Sequence, residues 1–518
     1  MNGAQALIRT LVDSGVDTCF MNPGTSEMHF VAALDAVPEL RSVLALFEGV
    51  ATGAADGFAR MAGRPAATLL HLGPGLGNGL ANLHNARKGR VPVVNVVGDH
   101  ATYHKPYDAQ LESDIETVAR NVSTFVRRST STEGVAGDAA ATVAAAYGPP
   151  GQVATLILPA DVSWTEGASP APPASRTARS APDDAVVASV ADLLRSGEPV
   201  ALFIGGSACR GAALDTVAAV AASTGARLLG ETFPTRLERG AGRPAVERLA
   251  YLAEFAALQL DGLAHLVLVD AKSPVSFFAY PDKASDLVPA GCTVHTLAGP
   301  TDDAPAALAA LADRLGVSPA DAPRQAAGRP DRPTGPLTAQ AVCAALGALL
   351  PEDAIVSDEG NTAGLFAPGA TAGAPPHDGL TLTGGAIGQG LPVAVGAAVA
   401  SPGRRVVAFE SDGSSLYTLQ AWWTMAREGL DVTTILLNNR SYDVLNMELS
   451  RVGAEAAGPR ARAMLDLRRP DLDFGSLATG LGVPATRATT AEELTDQLGR
   501  SLATPGPSVI EAVIPSIL

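Results

Sequence analysis

The sequence predicts an α/β protein made of three doubly wound domains, each built on a parallel β-sheet. The length of 518 residues is too great for one hydrophobic core. Short β-branched runs alternate with helical patterns along the chain, which favours parallel strands covered by helices on both faces. Two stretches rich in Pro, Ala and Ser, residues 166–184 and about 317–337, have no apolar period and are typical of linkers.

The linkers separate three blocks of ordinary domain size. We predict α/β domains over residues 1–165, 185–316 and 338–518, with ligands at the carboxyl ends of their strands. The predicted strands are DTCFMN, SVLALF, AATLLHL, VPVVNVVG and VATLILP in the first block, PVALFIGG, ARLLGE, HLVLVDA and CTVHTLAG in the second, and AIVSDEG, RVVAFESDG, VTTILLNN and PSVIEAVI in the third.

Composition excludes several classes of partner. The formal net charge of -16 argues against non-specific nucleic-acid binding, which needs a basic surface. The apolar runs are broken well short of a membrane span, and the N-terminus lacks a secretory signal pattern. The four cysteines are scattered, as expected of reduced buried thiols. We therefore expect a cytoplasmic protein with neither a nucleic-acid nor a membrane partner.

The segment RVVAFESDGSS predicts a strand that ends near Glu410 and turns sharply into a helix. Asp412 in this turn offers hard carboxylate oxygens to Mg²⁺, and Gly413 lets the backbone approach a phosphate. The next strand ends at Asn439, 27 residues after Asp412, which is the length of one helix and one strand. We expect the two side chains to lie on adjacent strand ends, beside the carbonyl of Ser441.

This stretch resembles the Gly-Asp-Gly-Ser … Asn-Asn signature of thiamine diphosphate enzymes, with Ser411 in place of the first Gly. The resemblance implies that Asp412, Asn439 and the Ser441 backbone hold Mg²⁺, which bridges the cofactor's diphosphate. It also places Gly413, Ser414 and Tyr442 at the cofactor. Without the resemblance, the same residues would form a capped βα turn followed by an Asn-rich turn.

The segment LFEGVATGAADGFAR places Glu48 at the start of a helix, where an acid is favoured by the helix dipole alone. Its spacing matches the E-G-x-A-x-G-x-A-D-G-x-A-R pattern around the activating glutamate of the thiamine diphosphate family. By this resemblance Glu48 binds the cofactor and exchanges a proton with its aminopyrimidine ring. The apolar neighbours Leu46 and Phe47 favour a carboxyl group that both donates and accepts a proton.

Two flanking segments, NPGTSEMHF and LLHLGPGLGNGLANLHNA, resemble benzoylformate decarboxylase and the acetohydroxyacid synthases. Carried over, Thr25 supplies a hydroxyl that contacts the substrate, His71 is an acid-base histidine, and Asn78 lies near the cofactor. A histidine that caps a strand is the alternative interpretation of His71.

The segments TGGAIGQG and SDEGNT extend the resemblance into the third block. In the family a bulky aliphatic residue wedges the cofactor into a bent shape, and Ile387 fits that position. The Gly385 carbonyl would orient the cofactor's amino group, and Asn361 and Thr362 match positions that contact the diphosphate. Taken alone, Ile387 is one more core residue among glycines.

The sequence also departs from these relatives. Benzoylformate decarboxylase has a histidine in its middle domain where this chain has Ala279, so His104 from the loop after the fourth strand is a candidate replacement. An exposed loop histidine is the alternative for His104. The substrate wall is expected at Val444, Leu445 and Met447. The middle domain lacks the Arg-Phe-Asp-Asp-Arg stretch that holds FAD, so we predict no FAD, and the glycine-rich turn at 203–212 is more typical of packing.

The resemblance implies an enzyme that uses thiamine diphosphate and Mg²⁺ to cleave a small 2-oxo acid with release of CO₂. The remaining fragment is either ligated to a second carbonyl, as in acetolactate synthase, or protonated to an aldehyde, as in benzoylformate decarboxylase. Family sites lie between subunits, which implies a homodimer or homotetramer. Two alternatives stay open: an NAD-dependent dehydrogenase, suggested by GPGLGNG and Asp99, and a non-catalytic relative that binds the cofactor.

Overall fold

Three β-sheets flanked by helices form the framework of this computed structural model, which describes residues 1–454 and 457–516. Each sheet corresponds to one of the three blocks expected from the sequence, and the strands within each block are parallel. The predicted fold class, three doubly wound α/β domains, is confirmed.

The first domain is a six-stranded parallel sheet in the order β2-β1-β3-β4-β6-β5. Its first helix is amphipathic as expected, buries Leu7 and Leu11, and is capped by Asn2. The strands are β1 (Thr18–Asn22), β2 (Arg41–Leu44), β3 (Ala66–Leu70), β4 (Val93–Asp99), β5 (Phe125–Arg128) and β6 (Val153–Pro159), and the helices are α1 (Gly3–Asp13), α2 (Met28–Ala33), α3 (Glu48–Ala62), α4 (Leu72–Lys88), α5 (Ile115–Arg120), α6 (Val135–Tyr147) and α7 (Ala160–Trp164).

The central domain has a five-stranded sheet in the order β10-β8-β7-β11-β12. Its strands are β7 (Val200–Ile204), β8 (Arg227–Gly230), β10 (Glu247–Arg248), β11 (His265–Val269) and β12 (Thr293–Ala298). Strand β9 (Leu237–Arg239) lies between β8 and β10 in the chain but pairs in the third sheet. The helices are α8 (Asp184–Arg195), α9 (Gly211–Thr224), α10 (Ala253–Leu260) and α11 (Ala304–Leu315).

The third domain has a seven-stranded sheet in the order β17-β18-β16-β15-β13-β14-β9. The strands are β13 (Ile355–Glu359), β14 (His377–Thr381), β15 (Val406–Ser411), β16 (Val432–Asn438), β17 (Ala485–Ala488) and β18 (Ser508–Val513). The helices are α12 (Ala339–Leu349), α13 (Ala367–Ala370), α14 (Gly390–Ala400), α15 (Asp412–Ser415), α16 (Ala421–Glu428), α17 (Asp443–Arg451), α18 (Pro459–Ala463), α19 (Phe474–Gly480) and α20 (Ala491–Ala503).

The third sheet differs from the prediction at one edge. Strand β9 belongs to the central block in sequence, yet it pairs antiparallel with β14, so the sheet is mixed. The half-buried guanidinium of Arg239 on β9 donates to Thr371 Oγ1 at 3.0 Å, which links the strand to the third domain. Pairing with β9 covers an edge that would otherwise expose unpaired backbone groups.

The first and third domains meet through helices α3 and α14, whose backbones lie unusually close. A Cβ added at Gly57 would lie 2.2 Å from the carbonyl oxygen of Val393, and one at Gly396 would lie 1.9 Å from that of Ala54. Any side chain at either glycine would therefore push the helices apart. This contact places the start of α3, which carries Glu48, beside the third domain.

A buried ion pair on α3 reinforces this junction. The Arg60 guanidinium pairs with Asp56 at 2.7 Å, and both side chains are fully buried. Arg60 also donates to the carbonyl of Thr381 at 2.8 Å and to Thr383 Oγ1 at 3.0 Å, while Gln389 Nε2 donates to Asp56 at 2.6 Å. The charge is thus fully hydrogen-bonded across the two domains, as a buried pair requires.

The first predicted linker packs against the first domain. Most of residues 166–183 lacks regular structure and lies along α1, where the amides of Ala171 and Ala174 donate to Thr10 Oγ1 and Ser14 Oγ. Within residues 1–454 and 457–516, no helix has the length and apolar character needed to cross a bilayer.

Candidate functional site

The turn after β15 brings the expected metal-binding residues together. Strands β15 and β16 are parallel neighbours, so Asp412 and Asn439 follow adjacent strand ends as expected. Asp412 is buried, and its carboxylate accepts the amide of Gly413 at 2.8 Å and that of Arg440 at 2.6 Å. The Asn439 side-chain oxygen accepts the amide of Ser441 at 3.0 Å. The side-chain oxygens of Asp412 and Asn439, 27 residues apart in sequence, therefore lie on adjacent turns at the same edge of the sheet.

The chemistry of this pocket fits a hard divalent cation. Burial raises the pKa of Asp412 to about 6. No Lys or Arg side chain among residues 1–454 and 457–516 forms an ion pair with this carboxylate to oppose that shift. The Arg440 guanidinium pairs instead with Asp471. A carboxylate, an amide oxygen and a backbone carbonyl are the ligands that Mg²⁺ prefers.

Gly413 directly follows Asp412 and lies against the ring of Tyr442. A Cβ at Gly413 would lie 2.4 Å from the ring of Tyr442, so only glycine fits between the turn and this ring. The described residues contain no cluster of three or more His, Cys, Asp or Glu side chains placed to hold a metal. The expected set of Asp412, Asn439 and the Ser441 carbonyl needs no such cluster.

The end of β13 adjoins this turn. Asn361, in a left-handed conformation with φ 46°, donates through Nδ2 to Ser411 Oγ at 3.1 Å, and the neighbouring Thr362 is buried. The Ser414 hydroxyl, expected at the cofactor, donates to Glu410 at 2.5 Å. The structure therefore groups Asn361 and Thr362 with the Asp412 turn.

Two buried glutamates beneath this turn escaped the sequence analysis. Glu359 accepts the amide of Gly388 at 2.7 Å and that of Gly390, while Glu410 is its register partner on β15. Burial raises the pKa of Glu359 to about 7, and burial together with the charge of Glu359 raises the pKa of Glu410 well above its usual range. Burial and the mutual repulsion of the two carboxylates therefore both favour the protonated forms of this pair.

Glu48 opens helix α3 as expected. Its side chain is buried, and Asn78 Nδ2 donates to Glu48 Oε2 at 3.0 Å. The other oxygen, Oε1, lies 3.0 Å from the position that a Cβ at Gly75 would occupy. Two of the residues expected near the cofactor, Glu48 and Asn78, are thus in direct contact across α3 and α4.

His71 immediately precedes α4 and pairs with a residue that the sequence analysis missed. Its Nδ1 lies 2.8 Å from Glu27 Oε2, which also accepts the amide of Gly24 at 2.7 Å. Glu27 is buried, and burial raises its pKa while the interaction with His71 lowers it. Thr25, two residues before Glu27, is exposed at the start of the same turn. The position of Glu27 inside the matched NPGTSEMHF segment was the available signal.

The glycines of GPGLGNG do not form a nucleotide-binding loop. Gly73, Gly75 and Gly79 all lie inside helix α4, against the side chains of Ser113, Glu48 and Thr52. They serve close packing, so the dinucleotide-binding interpretation loses the loop on which it depended.

The loop of residues 382–389, here called the Ile387 loop, joins β14 to α14. Ile387 is half-buried, and Gly385 has a positive φ of 78°. A Cβ at Gly385 would lie 2.3 Å from the ring of Phe277, so the central domain covers this part of the loop. Ile387 and Gly385 therefore lie where three domains meet.

The remaining candidates occupy exposed or half-exposed positions. His104 lies on an exposed loop between His100 and Tyr107, with ring centroids 5.2 Å and 5.8 Å away. Ala279 is exposed beside the contacting rings of Phe277 and Phe278, at the position where the family resemblance implied a histidine. Helix α17 presents the three expected wall residues, of which Leu445 is the most exposed: Val444, Leu445 and Met447.

The glycine-rich turn of the central domain is filled from within the chain. The amide and hydroxyl of Ser207 both donate to Asp270 Oδ2 at 2.9 Å, and Arg90 of the first domain pairs with Asp270 Oδ1 at 2.7 Å. A carboxylate thus occupies the place where such a turn would bind an anion.

Comparison with known proteins supports a common family. The family model described as "Thiamine pyrophosphate enzyme, N-terminal TPP binding domain" matches residues 1–119. The corresponding model for the C-terminal TPP binding domain matches residues 369–512. These ranges contain Glu48 and Asp412 respectively.

Relatives match over nearly the whole chain. The protein named "Putative acetolactate synthase large subunit IlvX" of Mycobacterium tuberculosis is 62% identical and covers 100% of both chains. A benzoylformate decarboxylase of Pseudomonas aeruginosa is 31% identical over 96% of each chain.

Solved structures share the fold. The thiamine diphosphate-dependent 4-hydroxybenzoylformate decarboxylase of Rhodococcus jostii RHA1 superimposes with a TM-score of 0.86 at 23% identity, covering 99% of both chains. The benzoylformate decarboxylase of Polynucleobacter necessarius gives 0.84 at 23% identity, covering 100% of this chain and 99% of its own. With two matching domain models and a relative that is 62% identical over its full length, the chain belongs to the family of thiamine pyrophosphate enzymes.

Proposed function

We propose that this protein uses thiamine diphosphate and Mg²⁺ to cleave a 2-oxo acid beside its carbonyl, releasing CO₂. The observation that carries the proposal is the buried Asp412 carboxylate, which is met by two backbone amides and by no basic side chain of the described residues. Such a carboxylate is poised to bind a cation. The family membership and the names of the relatives support the cofactor and the substrate class.

The third domain would hold the metal and the diphosphate. Asp412, the Asn439 side chain and the Ser441 carbonyl would bind Mg²⁺, while Gly413 lets the backbone approach the phosphates. When bound, thiamine diphosphate supplies the nucleophilic carbon and accepts the electrons released as CO₂ leaves.

Glu48 would hold and move the activating proton. Asn78 donates to Oε2 and so fixes the orientation of the carboxyl group, leaving Oε1 as the oxygen that would exchange a proton with the cofactor. Burial of Glu48 keeps competing water away from this transfer.

His71 would manage the protons of the substrate. Its Nδ1 contacts Glu27, so a hydrogen on Nδ1 fixes the tautomer and leaves Nε2 free to donate or accept a proton. Thr25, in the same turn as Glu27, would contact the substrate carboxylate through its hydroxyl.

The fate of the remaining fragment depends on what meets it after CO₂ leaves. Protonation would give an aldehyde, and attack on a second carbonyl would give a 2-hydroxy ketone. The relatives named above include both an acetolactate synthase and a decarboxylase, so their names support each outcome. Val444, Leu445 and Met447 on the half-exposed face of α17 would form the wall that selects the acceptor.

The decisive experiment supplies thiamine diphosphate, Mg²⁺ and a panel of 2-oxo acids, then measures CO₂ and identifies the products by mass. We expect CO₂ release that Glu48→Gln abolishes and that the matched surface variant Glu39→Gln leaves intact, since Glu39 is half-exposed and paired with Arg9. Removal of Mg²⁺ with a chelator should also stop the reaction.

The outcomes separate the competing functions. Aldehyde alone would identify a decarboxylase, and a 2-hydroxy ketone would identify a carboligase. Tight cofactor binding without CO₂ from any substrate would indicate a non-catalytic relative and contradict the proposal. Binding of NADH in place of thiamine diphosphate would support a dehydrogenase.

We further propose a homodimer or homotetramer in which Glu48 and Asp412 of one site come from different subunits. Mixing inactive Glu48→Gln and Asp412→Asn proteins tests this arrangement, because mixed dimers would then hold one site with both residues intact. Activity should return to roughly a quarter of the wild-type value after subunit exchange. Sites contained within single chains would give no recovery.

A further inference from the structure

Helix α4, which follows His71 and carries Asn78, also contacts the third domain. One turn further along, its buried face turns toward the Ile387 loop of the third domain. Asn82 and Asn85 lie on this face, and both side chains are buried. Neither asparagine belongs to the residues expected to contact the cofactor, so the use of these buried amides needs its own explanation.

Asn85 holds both polar groups of one loop residue. Its Nδ2 donates to the Ala386 carbonyl at 2.8 Å, and its Oδ1 accepts the Ala386 amide at 3.1 Å. A single side chain thereby replaces the pair of hydrogen bonds that a neighbouring strand would make. Ala386 directly precedes Ile387, so this contact fixes the backbone on one side of the proposed wedge.

Asn82 holds the other side. Its Nδ2 donates to the Gly388 carbonyl at 3.1 Å and to the Gly49 carbonyl at 2.8 Å, beside Glu48. Asn85 Nδ2 also donates to Asn82 Oδ1 at 3.1 Å, which links the two amides into one network. The backbone is therefore held immediately before and immediately after Ile387.

The opposite side of the loop is held by the third domain itself. Glu359 Oε1 accepts the Gly388 amide at 2.7 Å, and Thr418 Oγ1 donates to the Gly388 carbonyl at 3.1 Å. The loop also leaves no room for a side chain at Gly384, where a Cβ would lie 2.4 Å from Asn85 Oδ1. The loop is thus gripped from both domains in one conformation.

We propose that Asn85, assisted by Asn82, is a positioning residue that fixes the position of the Ile387 side chain relative to the bound cofactor. The inference rests on the proposed function, because it assigns Ile387 to the cofactor pocket. It goes beyond that function by making the geometry of the third-domain wedge depend on two amides of the first domain. These amides act through the loop backbone and do not touch the substrate.

A displacement of about 1 Å in a reacting group costs up to ~100-fold in rate. Asn85→Ala should therefore slow proton loss from C2 of bound thiamine diphosphate, and with it kcat, by about 10- to 100-fold. The affinity for Mg²⁺ and the diphosphate should stay within about 3-fold, since the Asp412 turn is not changed.

The first measurement needs no activity. Hydrogen exchange followed by mass spectrometry on the cofactor-free protein should show faster exchange in peptides covering 382–390 of Asn85→Ala. The matched control is Asn95→Ala, which removes an equally buried asparagine of the first domain that bonds to Thr68 and Thr155. Asn95→Ala should leave exchange in this loop unchanged. Asn82→Ala provides a second test should Asn85→Ala fail to fold.

The second measurement follows C2 proton exchange by NMR after acid quench, with cofactor affinity determined separately. Slower C2 exchange at unchanged affinity supports the positioning role. Equal loop exchange in Asn85→Ala and Asn95→Ala would overturn it, as would a loss of rate that only tracks lost cofactor. A wild-type protein that neither binds the cofactor nor releases CO₂ would instead overturn the proposed function, whatever the loop does.

Discussion

The central and third domains each turn sharply from a strand into a helix, but the two turns treat charge in opposite ways. In the central domain the turn after β7 donates to the carboxylate of Asp270, and Arg90 neutralises that carboxylate. In the third domain the carboxylate of Asp412 is part of the turn and pairs with no basic side chain of the described residues.

The difference shows which turn has a buried carboxylate whose charge is balanced by the protein. The carboxylate at the central turn is already paired with Arg90 of the first domain, so this turn joins two domains and its function is packing. The third-domain turn keeps an unbalanced buried carboxylate, which a bound cation would neutralise. The presence or absence of a basic partner for the carboxylate therefore distinguishes two glycine-containing turns that look alike in sequence.

The largest expected effect is at the unbalanced turn. Asp412→Asn removes the negative ligand, so Mg²⁺-dependent cofactor binding and CO₂ release should fall on the order of 10³-fold, because a bound metal contributes several kcal/mol. The fold should survive, since Asn retains one of the two acceptor oxygens and the loss of the other backbone hydrogen bond costs only about 1–3 kcal/mol. Cofactor titration with and without Mg²⁺ measures this loss.

Asp496→Asn on the exposed face of α20 is the control for that variant. An Asp412→Asn protein with normal Mg²⁺ dependence would remove the basis for distinguishing the two turns.

The second effect is expected at the balanced turn and concerns stability. Asp270→Ala removes the acceptor of the Ser207 amide and the carboxylate paired with Arg90, which keeps only its bond to the backbone carbonyl of residue 270, so the free energy of unfolding should fall by about 3 kcal/mol. Denaturation with urea measures the loss. Cofactor affinity of the folded protein should stay unchanged, and its collapse would contradict a purely structural role for this turn.

The third effect tests the pairing in the first domain. Glu27→Gln keeps the shape but removes the negative charge beside His71 Nδ1, so the control of the histidine tautomer weakens. We expect kcat to fall by about 10- to 100-fold, less than the ~10²–10⁴-fold that a positioned acid-base group contributes, because Glu27 acts only through His71. Steady-state kinetics with the best 2-oxo acid measures this change, and Glu39→Gln again serves as the control.

The smallest effect concerns Glu231, whose carboxylate lies 2.6 Å from the position of a Cβ at Gly205 in the central turn. Burial raises the pKa of Glu231 to about 7 from 4.5, so folding favours its protonated form. Stability should therefore fall as pH rises from about 4.5 to about 7, by ~1–2 kcal/mol after allowance for solvent screening.

Glu231→Gln should flatten that dependence without changing stability at pH 4. Unfolding measured across this pH range checks the prediction, and an unaltered pH profile in the variant would show that the carboxyl group is already charged in the folded protein.

Much of the fold could be predicted because its signals are local. The apolar runs predicted the central strands of each sheet. The missed strands β5, β10, β14 and β17 are short or carry polar residues, such as His377 and Asp378 on β14. Strand β9 was missed because its pairing with β14 depends on contacts with a different domain.

The candidate site divides in the same way. Asp412 and Asn439 were predictable, because one helix and one strand separate them and their strands are neighbours. The pairings of Glu27 with His71 and of Asn85 with Ala386 were not, since these partners lie 44 and 301 residues apart in sequence. No local pattern reveals such a pairing.

The sequence by itself determined the strand ends, the residue types at them and hence the kind of chemistry that each turn can support. These properties depend on backbone preferences and on spacing within a single βαβ unit. Only the tertiary structure decided which charges are balanced and which loop is held. The Asp270 carboxylate is paired with Arg90 and that of Asp412 has no basic partner among the described residues, while Asn82 and Asn85 hold the backbone on either side of Ile387, because side chains from distant segments meet there in a medium that excludes water.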